Sequence, residues 1–217
     1  MAVLLCAATE LEIAPTVDFI RQSGLMKQIN IVVTGVGLTA ATYNLTKNII
    51  DQRPVFVLQA GIAGALDETI KLGEPVIIKN ENIGDNGVLE KESFRSIFNL
   101  DLENNNKHPW SNGKLANRNI DLFSEKKLRI VDGVTVNQIT IDRDQIVYYN
   151  QVLKAGVETM EGAALHYVGL MENMPFLQIR SVSNYIGERD KTKWVMKEAI
   201  ANLNNELQQL LLNLLKL

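Results

Sequence analysis

The chain has 217 residues, 46% hydrophobic and 22% charged, with a formal net charge of −3. That suits one domain, residues 1–217, with a sizeable core. With no basic patch and no apolar run of roughly 18 residues, neither nucleic acid nor a membrane is an expected partner. The single cysteine, Cys6, leaves no disulfide framework. The start, Met1-Ala2-Val3-Leu4-Leu5, lacks a basic leader, so a cytoplasmic location is expected.

Residues 3–8 form a continuous apolar run, which reads as a strand buried on both faces with Cys6 as inert core. Glu10 and Glu12 follow in the first turn of a helix over 10–22. Carboxylates are common there for dipole reasons. The carboxyl end of a strand is also where ligand clefts form in α/β sheets. A second strand, 29–34, leads through Thr34-Gly35-Val36-Gly37-Leu38-Thr39-Ala40 into a helix over 39–52. The turn fits the dinucleotide fingerprint G-x-G-x-x-A. It follows the second strand, however, and the next strand, 55–59, runs into Ala60-Gly61 with no acid. A turn that brings backbone amides to a smaller polar ligand is the better reading. Gln59-Ala60-Gly61-Ile62-Ala63-Gly64-Ala65 reads as a strand end whose glycines serve close backbone approach or tight packing.

A strand over 75–78 precedes residues 80–118, which hold Asn104-Asn105-Asn106, His108-Pro109-Trp110 and Asn112-Gly113 with little periodicity. The stretch is too long for an ordinary connection and reads as a functional loop or a tolerated insertion. Phe98 and Trp110 either cover a pocket or anchor that loop. The densest basic run, Lys126-Lys127-Leu128-Arg129, reads as the solvated start of a strand over 128–136, and a helix follows over 144–153. Gly156-Val157-Glu158-Thr159-Met160 leads to the acid Glu161 and turns at once through Gly162 into a helix over 163–172. The last strand, 176–183, ends at Asn184, and a leucine-rich helix fills 191–217. Alternation of strands and helices predicts a three-layer α/β fold. An acid and an amide at two strand ends suit a site that grips hydroxyls with one and a polar heterocycle with the other. His108 and His166 show no metal-ligand spacing, and Ser181 and Ser183 sit in no G-x-S-x-G elbow.

Five motifs now stand in order along nearly the whole chain: Thr-Gly-Val-Gly at 34–37, Ala-Gly-Ile-Ala-Gly at 60–64, Leu72-Gly73-Glu74-Pro75-Val76-Ile77-Ile78, Met160-Glu161-Gly162-Ala163-Ala164 and Arg180-Ser181-Val182-Ser183-Asn184. Together they resemble the nucleoside phosphorylase/nucleosidase superfamily. Within it, Val157-Glu158-Thr159-Met160-Glu161, the run from Arg180 through Tyr185-Ile186-Gly187-Glu188-Arg189-Asp190, and Trp194 are similar to the futalosine hydrolases, nucleosidases of an alternative menaquinone pathway. The resemblance implies a three-layer α/β/α sandwich with a central mixed sheet. It implies N-glycosidic cleavage of futalosine to hypoxanthine and dehypoxanthine futalosine, homo-oligomers, and no metal or organic cofactor. Residue by residue, it implies that Glu161 binds the ribose 2′- and 3′-hydroxyls while Met160 packs on the sugar. Glu12, rather than Glu10, falls where the water-activating base stands. Gly61 and Ile62 border the substrate, and Ile139 or its neighbour Gln138 falls near the purine-stacking position. Arg189, ahead of Arg95, is the cation for the carboxylate of the futalosine side chain.

Two residues separate the branches of the superfamily. Both branches pass through a transition state with positive charge on the ribose, which a nearby carboxylate stabilises. A phosphorylase must also hold an anion. Thr9, Glu10 and Glu12 in the first turn would repel phosphate and suit deprotonation of water, so a hydrolase is expected. Asn184 bears on the base, because nucleosidases acting on 6-aminopurines usually have Asp there. Its NH₂ donates to O6 while its carbonyl accepts from N7–H as that proton arrives, which matches a departing hypoxanthine. A 6-aminopurine nucleosidase, a purine nucleoside phosphorylase and a silent nucleoside-binding module are the alternatives.

Overall fold

The computed structural model describes residues 2–91, 93–120 and 128–215. Its order is β1 (Val3–Ala7), α1 (Glu10–Gln22), β2 (Ile29–Val33), α2 (Leu38–Gln52), β3 (Phe56–Ala65), β4 (Pro75–Ile83), β5 (Gly87–Leu89), β6 (Phe94–Ser96), β7 (Leu115–Ala116), β8 (Arg129–Thr135), α3 (Arg143–Val147), β9 (Ala155–Thr159), α4 (Gly162–Met171), β10 (Phe176–Tyr185) and α5 (Met196–Leu214). Lys126 and Lys127 of the basic run, and positions 216–217 of the predicted last helix, lie outside the described residues.

Strand β1 shows why the chain folds into layers. Its odd residues, Val3, Leu5 and Ala7, pack with Ile13 and Ile20 of α1 and Leu203, Leu207, Leu210 and Leu211 of α5. Its even residues, Leu4 and Cys6, pack with Ala41, Leu45 and Ile49 of α2 and Ala164, Leu165 and Val168 of α4. Side chains alternate across a strand, so an unbroken apolar run requires a helix layer on each side. Leu203, Leu207, Leu210 and Leu211 of α5 are therefore core, each worth roughly 1.5–3 kcal/mol of burial.

The sheet is mixed, in the order β10-β4-β8-β9-β3-β1-β2, and β10 also pairs with β3. Strands β1, β2 and β10 lie parallel within their β1–β2, β1–β3 and β3–β10 pairings, whereas β9 runs antiparallel to β3. The ring β3-β10-β4-β8-β9 thus closes on itself. Ten-residue β3 is its common wall.

Several elements differ from expectation. The stretch from Gln59 to Ala65 is strand, not strand end: β10 pairs along all of it, while on the other side β1 pairs Gln59, β9 pairs Gly64 and Ala65, and the Ile62 amide between them donates to Glu12. Strand β10 likewise continues past Asn184 to Tyr185. The helix expected over 144–153 divides into α3 and a π-helical turn, Tyr148–Val152. The last helix begins at Met196, after a 3-10 turn at Lys191–Lys193. The aperiodic region 80–118 holds the end of β4, the β5–β6 hairpin and β7. Trp110 stacks edge-on between Phe98, at 5.1 Å, and Tyr167 of α4, at 6.2 Å, so these rings anchor the loop to a helix.

Candidate active site

Because β9 runs against β3, with Glu158 opposite Gly64, the chain that leaves β9 turns back toward the middle of β3, where the Gln59 side-chain amide donates to the Glu161 carbonyl, close to where α1 begins. A cavity of about 340 Å³ opens there, lined by Thr9, Leu11, Glu12, Ile62, Glu158, Met160, Glu161, Asn184 and Trp194 among others.

Glu12 enters this cavity as the acid of a helix cap. Its Oε2 accepts from the Thr9 amide and hydroxyl, each at 2.9 Å, and its Oε1 accepts from the Ile62 amide at 3.1 Å. Thr9-x-x-Glu12 has the spacing of a capping box, in which the N3 acid reaches back to the N-cap. That spacing was readable in the sequence and separates Glu12, which is buried, from Glu10, which is exposed.

Glu161 is the N-cap of α4 and 6% exposed. Its Oε1 accepts from the Gly37 amide at 3.0 Å, and its Oε2 lies 3.6 Å from Arg180 Nη1. The Gly37 amide is available because its φ of 90° turns the chain into α2 in a conformation that glycine tolerates. The glycine turn therefore delivers a backbone amide to a carboxylate of this chain. A carboxylate offers about four acceptor sites, so Glu161 keeps capacity for hydroxyl donors.

Arg180 was not singled out from the sequence. It is 1% exposed, and its Nη2 donates to Gln59 Oε1 at 3.1 Å. An arginine inside the apolar run 176–182 was the available signal, since a buried charge requires a partner. Gly61 makes its position possible. A Cβ there would overlap Arg180 Nη1 and stand 2.9 Å from Glu12 Oε1. The guanidinium and the Glu12 carboxylate thus flank one glycine.

A buried polar layer backs the start of α4. The Gly162 and Ala163 amides donate to Thr159 and Thr135 hydroxyls at 3.2 and 2.8 Å. The Thr135 hydroxyl in turn donates to Glu81 Oε2 at 3.1 Å, and Gln178 donates to Glu81 Oε1 at 3.0 Å. Burial pushes the Glu81 carboxyl up to about 7. His166 lies in the same interior, bonded through Nδ1 to the Leu115 carbonyl at 2.9 Å, and burial holds it down to about 4. It is a core residue.

Asn184 reaches the cavity through a bulge. Val182 pairs with Ala63 and Asn184 with Gly64, leaving Ser183 as the extra residue. A bulge re-aims the side chain that follows it. Here it puts Asn184 in the Gly64 row, where its Oδ1 accepts from Ser183 Oγ at 2.9 Å.

Of the other predicted residues, Met160, Ile62 and Ile139 line the cavity, and Gly61 supports it from β3. Gln138 is exposed and outside the lining. Arg189 stands at the rim, its guanidinium 5.8 Å from the Trp194 ring that lines the cavity. Arg95 is held in the β5–β6 hairpin, 3.6 Å from Glu90. Among the described residues, no helix is long and apolar enough to cross a membrane.

A family model, the phosphorylase superfamily, matches residues 7–216. A futalosine hydrolase from Thermus thermophilus is 26% identical over 185 residues, covering 82% of this chain and 79% of that protein. Among solved structures, futalosine hydrolase of Helicobacter pylori superposes with a TM-score of 0.70 at 16% identity, covering 96% and 93% of the two chains. The 5′-methylthioadenosine/S-adenosylhomocysteine nucleosidase of Colwellia psychrerythraea, in complex with adenine, gives 0.72 at 17% identity over the same shares, 96% and 93%.

Proposed function

The chain belongs to the phosphorylase superfamily, and on that premise we propose that it hydrolyses the N-glycosidic bond of futalosine, releasing hypoxanthine and dehypoxanthine futalosine in menaquinone biosynthesis. The observation that carries the hydrolytic reading is the charge of the cavity. Its described lining holds Glu12, Glu158 and Glu161 and no Lys or Arg. The nearby cation, Arg180, is committed to Glu161. Such a wall repels phosphate and suits a water nucleophile. Similarity to a futalosine hydrolase over four-fifths of the chain supports the substrate.

In this reading Glu161 holds the ribose diol and faces the positive charge that grows on the sugar as the bond to the base stretches. Glu12 takes the proton from the attacking water, its own geometry fixed by Thr9 and Ile62. Arg180 is a positioning residue for Glu161. Asn184 meets the departing base at O6 and N7. Met160 and Ile139 pack on sugar and purine.

One observation favours a second reading. The cavity lining includes Leu11, Val36, Met196 and Ile200, and Arg189 is not part of it. Such a lining suits an apolar 5′-substituent, as in a methylthioadenosine-type nucleosidase. Product analysis on futalosine and aminodeoxyfutalosine side by side, with and without phosphate, decides between them. Hypoxanthine from futalosine with no phosphate dependence is the expected result. Adenine release alone would favour the second reading, and a ribose 1-phosphate-type product would overturn the hydrolase. A cytoplasmic homo-oligomer goes with this reading. Leu11 and Val36, 67% and 59% exposed at the cavity mouth, support assembly, which light scattering tests.

A further inference from the structure

The interior behind α4 holds two polar atoms that oppose each other. His166 Nδ1 is bonded to the Leu115 carbonyl at 2.9 Å, and a carbonyl only accepts, so Nδ1 carries the proton. Burial holds the ring down to about 4, so it is neutral and its Nε2 is a bare acceptor. That atom is buried with no hydrogen-bond partner among the described residues, and so is Gln178 Oε1. The Gln178 amide is the side-chain group that faces the imidazole. While the Gln178 NH₂ is given to Glu81 Oε1 at 3.0 Å, acceptor faces acceptor. Two buried acceptors without donors are costly.

One proton satisfies both. The oxygen and nitrogen ends of an amide are alike in shape, so Gln178 can be reversed without repacking. Its NH₂ then donates to His166 Nε2, and its Oε1 turns to Glu81. A carboxylate has nothing to donate to that oxygen, whereas a carboxylic acid has. The chain then runs from Glu81 Oε1–H through Gln178 and His166 to the Leu115 carbonyl, each donor meeting an acceptor. Glu81 Oε2 still accepts from the Thr135 hydroxyl at 3.1 Å.

This carboxyl is built into the floor of the site. A Cβ on Gly162 would overlap Glu81 Oε1, and one on Gly133 would stand 2.7 Å from it. Gly162 follows Glu161 directly, and Thr135 accepts from the next amide, Ala163, at 2.8 Å. The charged groups that act on Glu81 are Arg180 of β10 and Asp132 of β8, the latter paired with Lys114 at 2.7 Å. His166 of α4 is neutral. Arg180 is also the cation 3.6 Å from Glu161. An ionised Glu81 would be a second buried carboxylate drawing on the same guanidinium. A neutral Glu81 leaves that guanidinium to Glu161.

We propose that Glu81 is a positioning residue that works in its protonated form: its proton, held against the reversed Gln178 amide, leaves Arg180 to Glu161 and so fixes the acid that grips the ribose diol. The inference rests on the nucleosidase reading. Burial pushes Glu81 up to about 7, so the proton is present below that pH and is lost above it. Sugar binding weakens over the same range. Coupling between a proton at one site and a ligand at another is reciprocal and typically about 5–150-fold.

The test follows the wild-type protein over about two pH units on either side of 7. Protein labelled with ¹⁵N at histidine is titrated by NMR, and KM for futalosine is measured on the same samples. Below pH 7 His166 Nε2 should give the signal of a bare nitrogen accepting a hydrogen bond. As Glu81 loses its proton, that signal should shift and KM should rise at least about fivefold, with one midpoint. In Glu81→Gln the new NH₂ donates to Gln178 Oε1 as the acid does and does not titrate. Its KM and its Nε2 signal should stay level with pH. A level KM in a wild type that turns over would overturn the positioning role, as would a KM rise of the same size in Glu81→Gln. A proton on His166 Nε2 below pH 7 would overturn the assignment of the proton to Glu81. Should Glu81→Gln not fold, the wild-type midpoints decide, and a difference of more than about one pH unit between NMR and KM sinks the proposal. No turnover of any nucleoside at any pH would instead remove the nucleosidase reading, and the positioning role with it.

Discussion

Gly61→Ala tests the link between the β3 backbone and the chemistry above it. Gly61 sits in a paired strand, so alanine brings no backbone strain of its own. The added Cβ is the whole perturbation. It would overlap Arg180 Nη1, with Arg180 Cζ at 3.2 Å and Glu12 Oε1 at 2.9 Å, against an ordinary carbon contact of about 3.5–4.0 Å. The guanidinium has to retreat by on the order of 1 Å, within an interior where it is 1% exposed. Retreat stretches its 3.1 Å bond to Gln59 and its 3.6 Å approach to Glu161. Overpacking of this kind costs about 1–3 kcal/mol of stability. A misplacement of about 1 Å near the reacting groups lowers turnover on the order of 10²-fold. Hypoxanthine release followed by a xanthine oxidase-coupled assay, with urea unfolding on the same samples, measures both. Activity within threefold of wild type in a folded Gly61→Ala protein would refute the idea that Arg180 and Glu12 need this gap.

Other expectations follow from the same geometry. Glu12→Gln removes the proton acceptor and should lower kcat by about 10²–10⁴-fold with KM little changed; an unaltered kcat would remove Glu12 from that role. Asn184→Asp should weaken 6-oxopurine release relative to 6-aminopurine release, read as a ratio of kcat/KM values, and a constant ratio would refute the assignment. Glu81, raised from 4.5 to about 7 by burial, is protonated in folded and unfolded chains alike below pH 4.5. Its contribution to stability is full there and is lost as pH rises through 7, by about 3 kcal/mol at 1.36 kcal/mol per pH unit. Glu81→Gln should therefore gain on wild type by up to that amount between pH 4.5 and 8 in urea unfolding. His166, held down to about 4, works in the opposite sense but is common to both proteins. Parallel pH curves would count against Glu81 as the source.

The layers were legible because burial on both faces of a strand demands a continuous apolar run, as residues 3–8 and 176–182 show. Helix α1 began where Glu10 and Glu12 said it would. Glu161 was placed at its strand–helix junction by the abrupt change from Thr159-Met160 to Gly162-Ala163-Ala164. The limits of β3 were less visible, since Ala60-Gly61-Ile62-Ala63-Gly64 has the composition of a turn. Pairing with β10 along its whole length holds it extended.

What the sequence determined by itself was local: periodicity, the capping acid at Glu12, the acid at Glu161 and the amide at Asn184. What tertiary structure decided was who faces whom. The antiparallel docking of β9 on β3 brings Glu161 to the middle of that strand, the bulge at Ser183 turns Asn184 into the Gly64 row, and Arg180 finds Glu161 above Gly61. Strand register and bulges are set by pairing between segments far apart in the chain, which no local window of residues contains.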